Sequence, residues 1–330
     1  MVKLFNRTLS LLMVIQSFLL FADEEATHDI NFEQRKVPWF TGPLITPSAY
    51  TVKPHHANIE PYLYLETNTG SYGSDWNAHS GPKFHKDRLQ VQAKVGITSW
   101  MDCQFYPQVE YNNSQGYHST NVGDMPIGFN FQLLTSKVED PWPSMKLTIK
   151  GNVPFGKYNK LNPTHYRTDS MGSSCWFPGT TLVIGKLVNP YASHYLDLRF
   201  ALNYQVGVPV QVKGYNTYGG AADTSGTVLP GNLLGVNFAI QYSFTQQFAF
   251  AADLIYNHTN QNRFSGNPGT TSTGSPAKMT RPSTEQWSVA PALEYNWSKN
   301  LGIIGGVWFT FAGRNSGRFT NGVVALNIYI

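Results

Sequence analysis

Charge is scarce in this 330-residue chain: Asp, Glu, Lys and Arg make up 13% of it, and the formal net charge is +4. No run of basic residues occurs, which excludes the electrostatic footprint of a nucleic-acid-binding protein. Cysteine is nearly absent, and the two residues, Cys103 and Cys175, are too few for a disulfide framework. Long apolar runs are missing as well. The one mostly apolar block, Leu11 to Ala22, falls short of the about 20 residues that a spanning helix needs, so a helical membrane protein is excluded. The nine histidines are scattered without zinc-type spacing to a cysteine or carboxylate, so neither a metal nor another cofactor is expected. The Gly-rich tracts Tyr218 to Gly226 and Gly266 to Gly274 lack the Lys-Ser/Thr pair of a phosphate cradle and read as flexible surface loops.

What the chain does have is alternation. Aromatic residues reach 14%, yet the mean hydropathy is slightly negative, so apolar residues are interspersed with polar ones. From Leu89 to Tyr111, Leu89, Val91, Ala93, Val95 and Ile97 alternate with Gln90, Gln92, Lys94 and Gly96. After a short turn, Cys103, Phe105, Val109 and Tyr111 alternate with Gln104, Gln108 and Glu110. A period of two marks a strand with one apolar and one polar face, and each run is close to the roughly 9–11 residues that cross a bilayer as a tilted strand. The pattern recurs to Ile330, giving about twelve such strands. The fold class it predicts is all-β: a transmembrane antiparallel up-and-down β-barrel with short periplasmic turns and long extracellular loops. Two strands, near Thr180 to Val188 and Leu301 to Ala312, alternate poorly. Pro61, Pro107, Pro126 and Pro291 fall inside strands and predict bulges, because a closed barrel has no free edge for a missing N–H.

The connections after strands two, eight and ten are very short (Ser99 to Met101, Thr245 to Gln247, Ser298 to Asn300), and those after strands four and six are modest. Those after strands one, three, five, seven and nine are long and rich in Gly, Ser, Thr, Asn and Pro. An even strand count places both barrel termini in the periplasm. Residues 1–22 have the charge, apolar run and small-residue exit of a signal peptide. Residues 23–57 form a periplasmic N-terminal segment, whose proline-broken apolar part, Val37 to His56, is either a tether or a plug in the barrel mouth. Residues 58–330 form the barrel. The expected location is the bacterial outer membrane.

Several short motifs carry a family likeness: GITSWMD (Gly96 to Asp102), GDMPIGFNF (Gly123 to Phe131), NVPFGKY (Asn152 to Tyr158), SVAPALEYNWSKNLG (Ser288 to Gly302), and TGPLITPSAY followed by NIEPYLYLETN. Over most of residues 40–330 the chain resembles the outer-membrane barrels of the meta-pathway phenol-degradation transporter type and related Gram-negative barrels. It departs from the usual barrel ending, a terminal aromatic read by the insertion machinery, because Ile330 follows Tyr329. The resemblance implies a channel for passive uptake or efflux of small aromatic or apolar solutes, without enzymatic activity.

The barrel reading puts Lys94, Glu110, Lys146, Lys150, Asp197, Arg199, Asp253 and Glu294 toward the lumen. There they are candidates for a constriction that sets selectivity, with a transverse field as one arrangement. The partners implied are outer-membrane lipid, the barrel-insertion machinery and a small solute, with no nucleic acid. Two other functions compete. The long loops, above all Asn257 to Ser283, suit surface adhesion, and His118-Ser119 with Asn315 to Arg318 offers a phospholipase-like hydrolase its serine and histidine, although both pairs fall in expected loops. Cys103 beside a short turn and Cys175 in a long loop sit at opposite ends of such a barrel, beyond the about 7 Å limit for bridging. Alkylation of the denatured chain without reductant is therefore expected to add two labels; a chain that accepts none until reduced would contradict the placement.

Overall fold

The computed structural model describes residues 38–191 and 194–330; the expected signal peptide and residues 23–37 lie outside them. Seventeen strands follow in order: β1 (Ala57–Tyr72), β2 (Ala78–Thr98), β3 (Met101–Phe105), β4 (Gln108–Ser114), β5 (Tyr117–Val122), β6 (Met125–Leu134), β7 (Ser144–Val153), β8 (Gly179–Tyr191), β9 (His194–Gln205), β10 (Val210–Lys213), β11 (Ser225–Leu229), β12 (Leu233–Ser243), β13 (Phe248–Thr259), β14 (Arg263–Asn267), β15 (Thr284–Ser298), β16 (Leu301–Arg314) and β17 (Gly317–Tyr329). Fourteen of them form one antiparallel sheet that closes on itself, because β1 pairs with both β17 and β2. β3 with β4, and β5 with β6, are each one strand of the wall interrupted midway, so the barrel has twelve strands.

The two faces separate as the alternation requires. Leu63, Leu65, Phe129, Ile149, Phe238, Leu254, Leu293 and Val324 project outward and are exposed, while Glu60, Gln90, Asn130, Lys146, Gln241, Asp253 and Glu294 point inward and are buried. Rings collect at both rims. His194, Tyr242, Phe244 and Phe248 pack in series near the short turns, edge-to-face between Tyr242 and Phe244 and stacked at the other two contacts, with Tyr295 against Trp297, and Tyr256 packs on Trp287 near the long loops. An outward apolar band between aromatic girdles is the surface a transmembrane barrel presents to lipid.

The ambiguous strand β8 resolves with Thr181 and Val183 buried inside and Leu182 and Ile184 outside. β16 alternates poorly because its inner face is apolar too: Ile304 packs with Leu44, Tyr62, Tyr64, Ala251, Ile255, Ala290, Ala292, Val323 and Ala325.

The prolines depart from expectation. Pairing runs in one register past Pro61 (Ile59↔Ile328, Tyr62↔Ala325) and past Pro291 (Val289↔Phe309, Ala292↔Gly306). An antiparallel residue directs its N–H and C=O to a single neighbour, so each of these prolines costs one bond on one side and needs no bulge. Pro107 and Pro126 do flank a slip. Phe105 pairs with Ile127 but Val109 with Val122, one extra residue on the β5–β6 side, while β2 keeps its register across the β3–β4 break (Ala93↔Phe105, Gln90↔Gln108).

The long connections are more ordered than their composition suggests. Those after the first and third wall strands are hairpin extensions: β1 and β2 pair out to Tyr72 and Ala78, and β4 and β5 out to Ser114 and Tyr117. The other long loops join into a cap, in which β10, β11 and β14 form a separate three-stranded sheet. Cys175, Val210, Val212, Tyr218, Val228 and Met279 make its core. The two Gly-rich tracts belong to this cap and are not free loops. Tyr218 is buried and its hydroxyl donates to the Ser173 carbonyl at 2.6 Å, and Gly219 and Gly220 adopt positive φ where the chain turns back. The Asp124 carboxylate ties the cap to the wall, accepting from Gly156 N, Ser173 N and Ser173 Oγ. Both cysteines are free, and burial pushes the Cys175 thiol pKa up.

A closed barrel of this kind resists detergent until heated. Unheated protein is expected to migrate apart from the boiled chain in SDS gels and to fractionate with membranes; recovery as a soluble species with no mobility shift would overturn the architecture.

Candidate functional site in the barrel lumen

Residues 38–56 lie inside the barrel, near the end with the short turns. Four prolines deny the segment a helix or a regular strand, so its backbone N–H and C=O groups need partners from the wall, and the inward polar side chains supply them. Glu294 accepts from Thr41 N, and Asn296 donates to the Trp39 carbonyl. Asp253 accepts from Ile45 N at 3.2 Å and Thr46 N at 2.9 Å. The Gln132 side chain takes both roles, accepting from Thr51 N and donating to the Ala49 carbonyl. Asp102 accepts from Val52 N at 2.7 Å and is held by Asn130, which in turn accepts from Thr148.

The segment thus follows the inner wall from β15 past β13, β8, β6 and β3 to β2 before entering β1. Leu44 fills the apolar inner patch of β1, β13, β15, β16 and β17, and Ala49 packs on Val183 and Ala201. Two glycines make room. Gly42, at φ +124°, passes the Arg199 guanidinium, and a Cβ on Gly96 would stand 1.9 Å from the Lys53 carbonyl oxygen where the segment bridges to β2.

Above and beside this segment lies a cavity of about 730 Å³, lined by wall side chains from most strands and by residues of the segment itself. All eight residues expected in the lumen face inward, but they divide into groups. Lys94 is paired with Glu60 at 3.0 Å, Glu110 with Lys86 at 3.0 Å, and Asp197 with Arg199 at 2.7 Å. Asp253 and Glu294 hold the segment. Lys146 is buried and reaches the Tyr50 carbonyl at 3.4 Å, whereas Lys150 lines the cavity without an ion pair or hydrogen bond among the described residues. Opposite charges are therefore paired along the wall more than set against each other across the lumen.

Sequence reasoning missed Glu60, Arg88, Asp102 and Gln132. Glu60 and Gln132 occupy inward positions of strands that the alternation marks; Arg88 lies just before the strand read from Leu89, and Asp102 falls between the short turn and the alternation that begins at Cys103. Tyr62, Tyr64, Tyr106 and Trp308 also line the cavity.

The residues considered for hydrolysis are separated by the same geometry. His118 and Ser119 are neighbours on β5, not in a loop, so their side chains point to opposite faces. The Ser119 hydroxyl meets Thr168 Oγ1 at 3.3 Å and the Ser316 hydroxyl donates to the Glu285 carbonyl at 2.8 Å, leaving neither against an imidazole.

No family model matches the chain, and no curated protein sequence does. Among solved structures it is similar to the COG4313 outer membrane channel from Pseudomonas putida F1, with a TM-score of 0.62 and 13% identity over 87% of this chain and 100% of that one. Weaker likenesses include the TodX deltaS2S3 mutant monoaromatic hydrocarbon channel (TM-score 0.41, 10% identity, 85% and 91% covered) and the KdgM porin (TM-score 0.35, 13% identity, 82% and 98% covered). At such identities the likeness defines a fold, that of the outer-membrane β-barrels.

If wall carboxylates anchor residues 38–56, Asp253→Ala leaves two buried N–H groups without an acceptor, at a cost of about 1–3 kcal/mol. Chymotrypsin cleavage at Phe40 and Tyr50 in the folded protein is then expected to rise about tenfold or more, since cleavage of an opened segment tracks its population. An unchanged cleavage rate would remove Asp253 from that role.

Proposed function

We propose that the chain is an outer-membrane channel for passive passage of small solutes, with its short turns in the periplasm and residues 38–56 narrowing the periplasmic mouth. One observation carries the reading: a closed wall that is apolar outside encloses a polar lumen with a cavity of about 730 Å³, bordered by a segment held through hydrogen bonds to wall side chains. Pores of this type select by the side chains that line a constriction. The cavity's aromatic residues make small ring-bearing solutes part of the proposal. The similar Pseudomonas putida protein is described as an outer membrane channel, which supports the reading.

Planar-bilayer recording tests it. The full chain is expected to give small unitary currents, and a chain lacking residues 38–56 to give currents several-fold larger. Absence of conductance in both forms, with both shown to be folded by the heat-dependent mobility shift, would overturn the channel.

A further inference from the structure

The cavity carries unbalanced charge. Five cationic side chains line it, Arg88, Lys94, Lys150, Arg199 and Lys299, against two carboxylates, Glu60 and Asp197. Both carboxylates are already bound to cations, Glu60 to Lys94 and Asp197 to Arg199. Four other inner acids do not line the cavity: Asp102, Asp253 and Glu294 face the N–H groups of residues 38–56, and Glu110 faces Lys86. Arg88, Lys150 and Lys299 are left without a carboxylate partner among the described residues.

Lys150 is placed to use that surplus. The pairings Lys94↔Gln104, Gln104↔Gly128 and Gly128↔Lys150 set the two lysines on one row of the wall, three strand spacings or about 14 Å apart. Gly128 leaves the row open beside Lys150, since a Cβ there would stand 3.0 Å from the Lys150 Cβ. The Lys94 charge is answered by Glu60, so Lys150 is the free ammonium of the row. Rings line the same cavity. Tyr62 and Tyr64 stack with centroids 5.5 Å apart, Arg88 lies 4.2 Å over the Tyr64 ring, and the Trp308 indole is fixed by its N–H on Ser288 Oγ. A solute with one planar ring and one carboxylate would satisfy both features, its ring against the aromatic wall and its charge on an ammonium that otherwise has no partner.

We propose that this cavity is a selectivity site for small aromatic carboxylates, with Lys150 as the residue that binds the carboxylate. The inference rests on the channel reading, because selection matters only where solutes pass. Uncharged phenols gain the ring contacts alone, and aromatic amines meet the cationic surplus.

Calorimetric titration of the full chain in detergent micelles with benzoate, phenol and benzylamine tests this. Benzoate is expected to bind at least tenfold more tightly than either of the others. Lys150→Gln is expected to weaken benzoate about tenfold while leaving phenol unchanged, the size of one charge-assisted hydrogen bond. Lys150→Arg, which retains the charge, is expected to restore most of the affinity, and the heat-dependent mobility shift reports the folding of each variant. Equal binding of benzoate and phenol, unchanged benzoate affinity in Lys150→Gln, or equal losses in Lys150→Gln and Lys150→Arg would overturn the proposal. Because binding is read without current, its failure is distinct from the absence of conductance that would overturn the channel.

Discussion

Everything in this structure follows from one constraint: within a bilayer no water is available to satisfy a peptide group, so a sheet that crosses it can have no edge. Pairing of β1 with β17 removes that edge. Once the ring is closed, each wall residue has one side in lipid and one in the lumen, and the period of two in the sequence becomes a radial division of apolar from polar. The prolines show how tightly this constraint is drawn. Pro61 and Pro291 are tolerated in register because each withdraws one donor from one neighbour, while the adjoining bonds hold the strands together.

The same demand for partners acts inside the barrel. A proline-rich segment cannot satisfy its own backbone, and a lumen lined with carboxylates and amides cannot leave them dry and unpaired. Residues 38–56 and the inner wall answer both needs together: Asp102, Asp253 and Glu294 accept N–H groups, and Gln132 and Asn296 donate to carbonyls. Such contacts are individually modest, about 0.5–1.5 kcal/mol for neutral bonds and about 1.5–3 kcal/mol where a charge takes part. Their number, with the burial of Leu44, favours a seated segment without locking it in place.

Most of the barrel wall was legible because lipid and lumen impose opposite preferences on successive residues. Leu147 and Ile149 set against Lys146, Thr148 and Lys150 cannot be read another way. The code failed wherever a second apolar surface appeared inside. Ile304, Ala290 and Val323 face inward yet are apolar, since they meet Leu44 and not water, and that blurs β16. It failed again above the membrane, where Gly, Ser and Thr suggested loose loops. There Val210, Val212, Tyr218 and Val228, well separated from Cys175 and Met279 in sequence, build a core that no local period announces. At the site, charge type and direction were readable, but the partner of each charge was not, because parts of the chain distant in sequence supply it: Glu60 on β1 for Lys94, and Thr46 in the luminal segment for Asp253.

The lumen is therefore two-sided, and its asymmetry links fold to function. The arc of β13, β15, β16, β17 and β1 carries an apolar patch on its inner face that receives Leu44, beside the Asp253 and Glu294 carboxylates that accept segment N–H groups. The arc from β2 to β9 carries more of the charge, and its inward carboxylates Glu110, Asp197 and Asp102 are engaged by neighbouring cations or by a segment N–H group. Space remains where the segment leaves the wall incompletely covered, and the cations there outnumber the acids. A passive pore needs a site attractive enough to enter and weak enough to leave. In the proposed channel the Lys150 ammonium, in a cavity that tyrosine rings also line, meets that condition: it supplies one favourable contact for an anion without the cage of donors that would hold it.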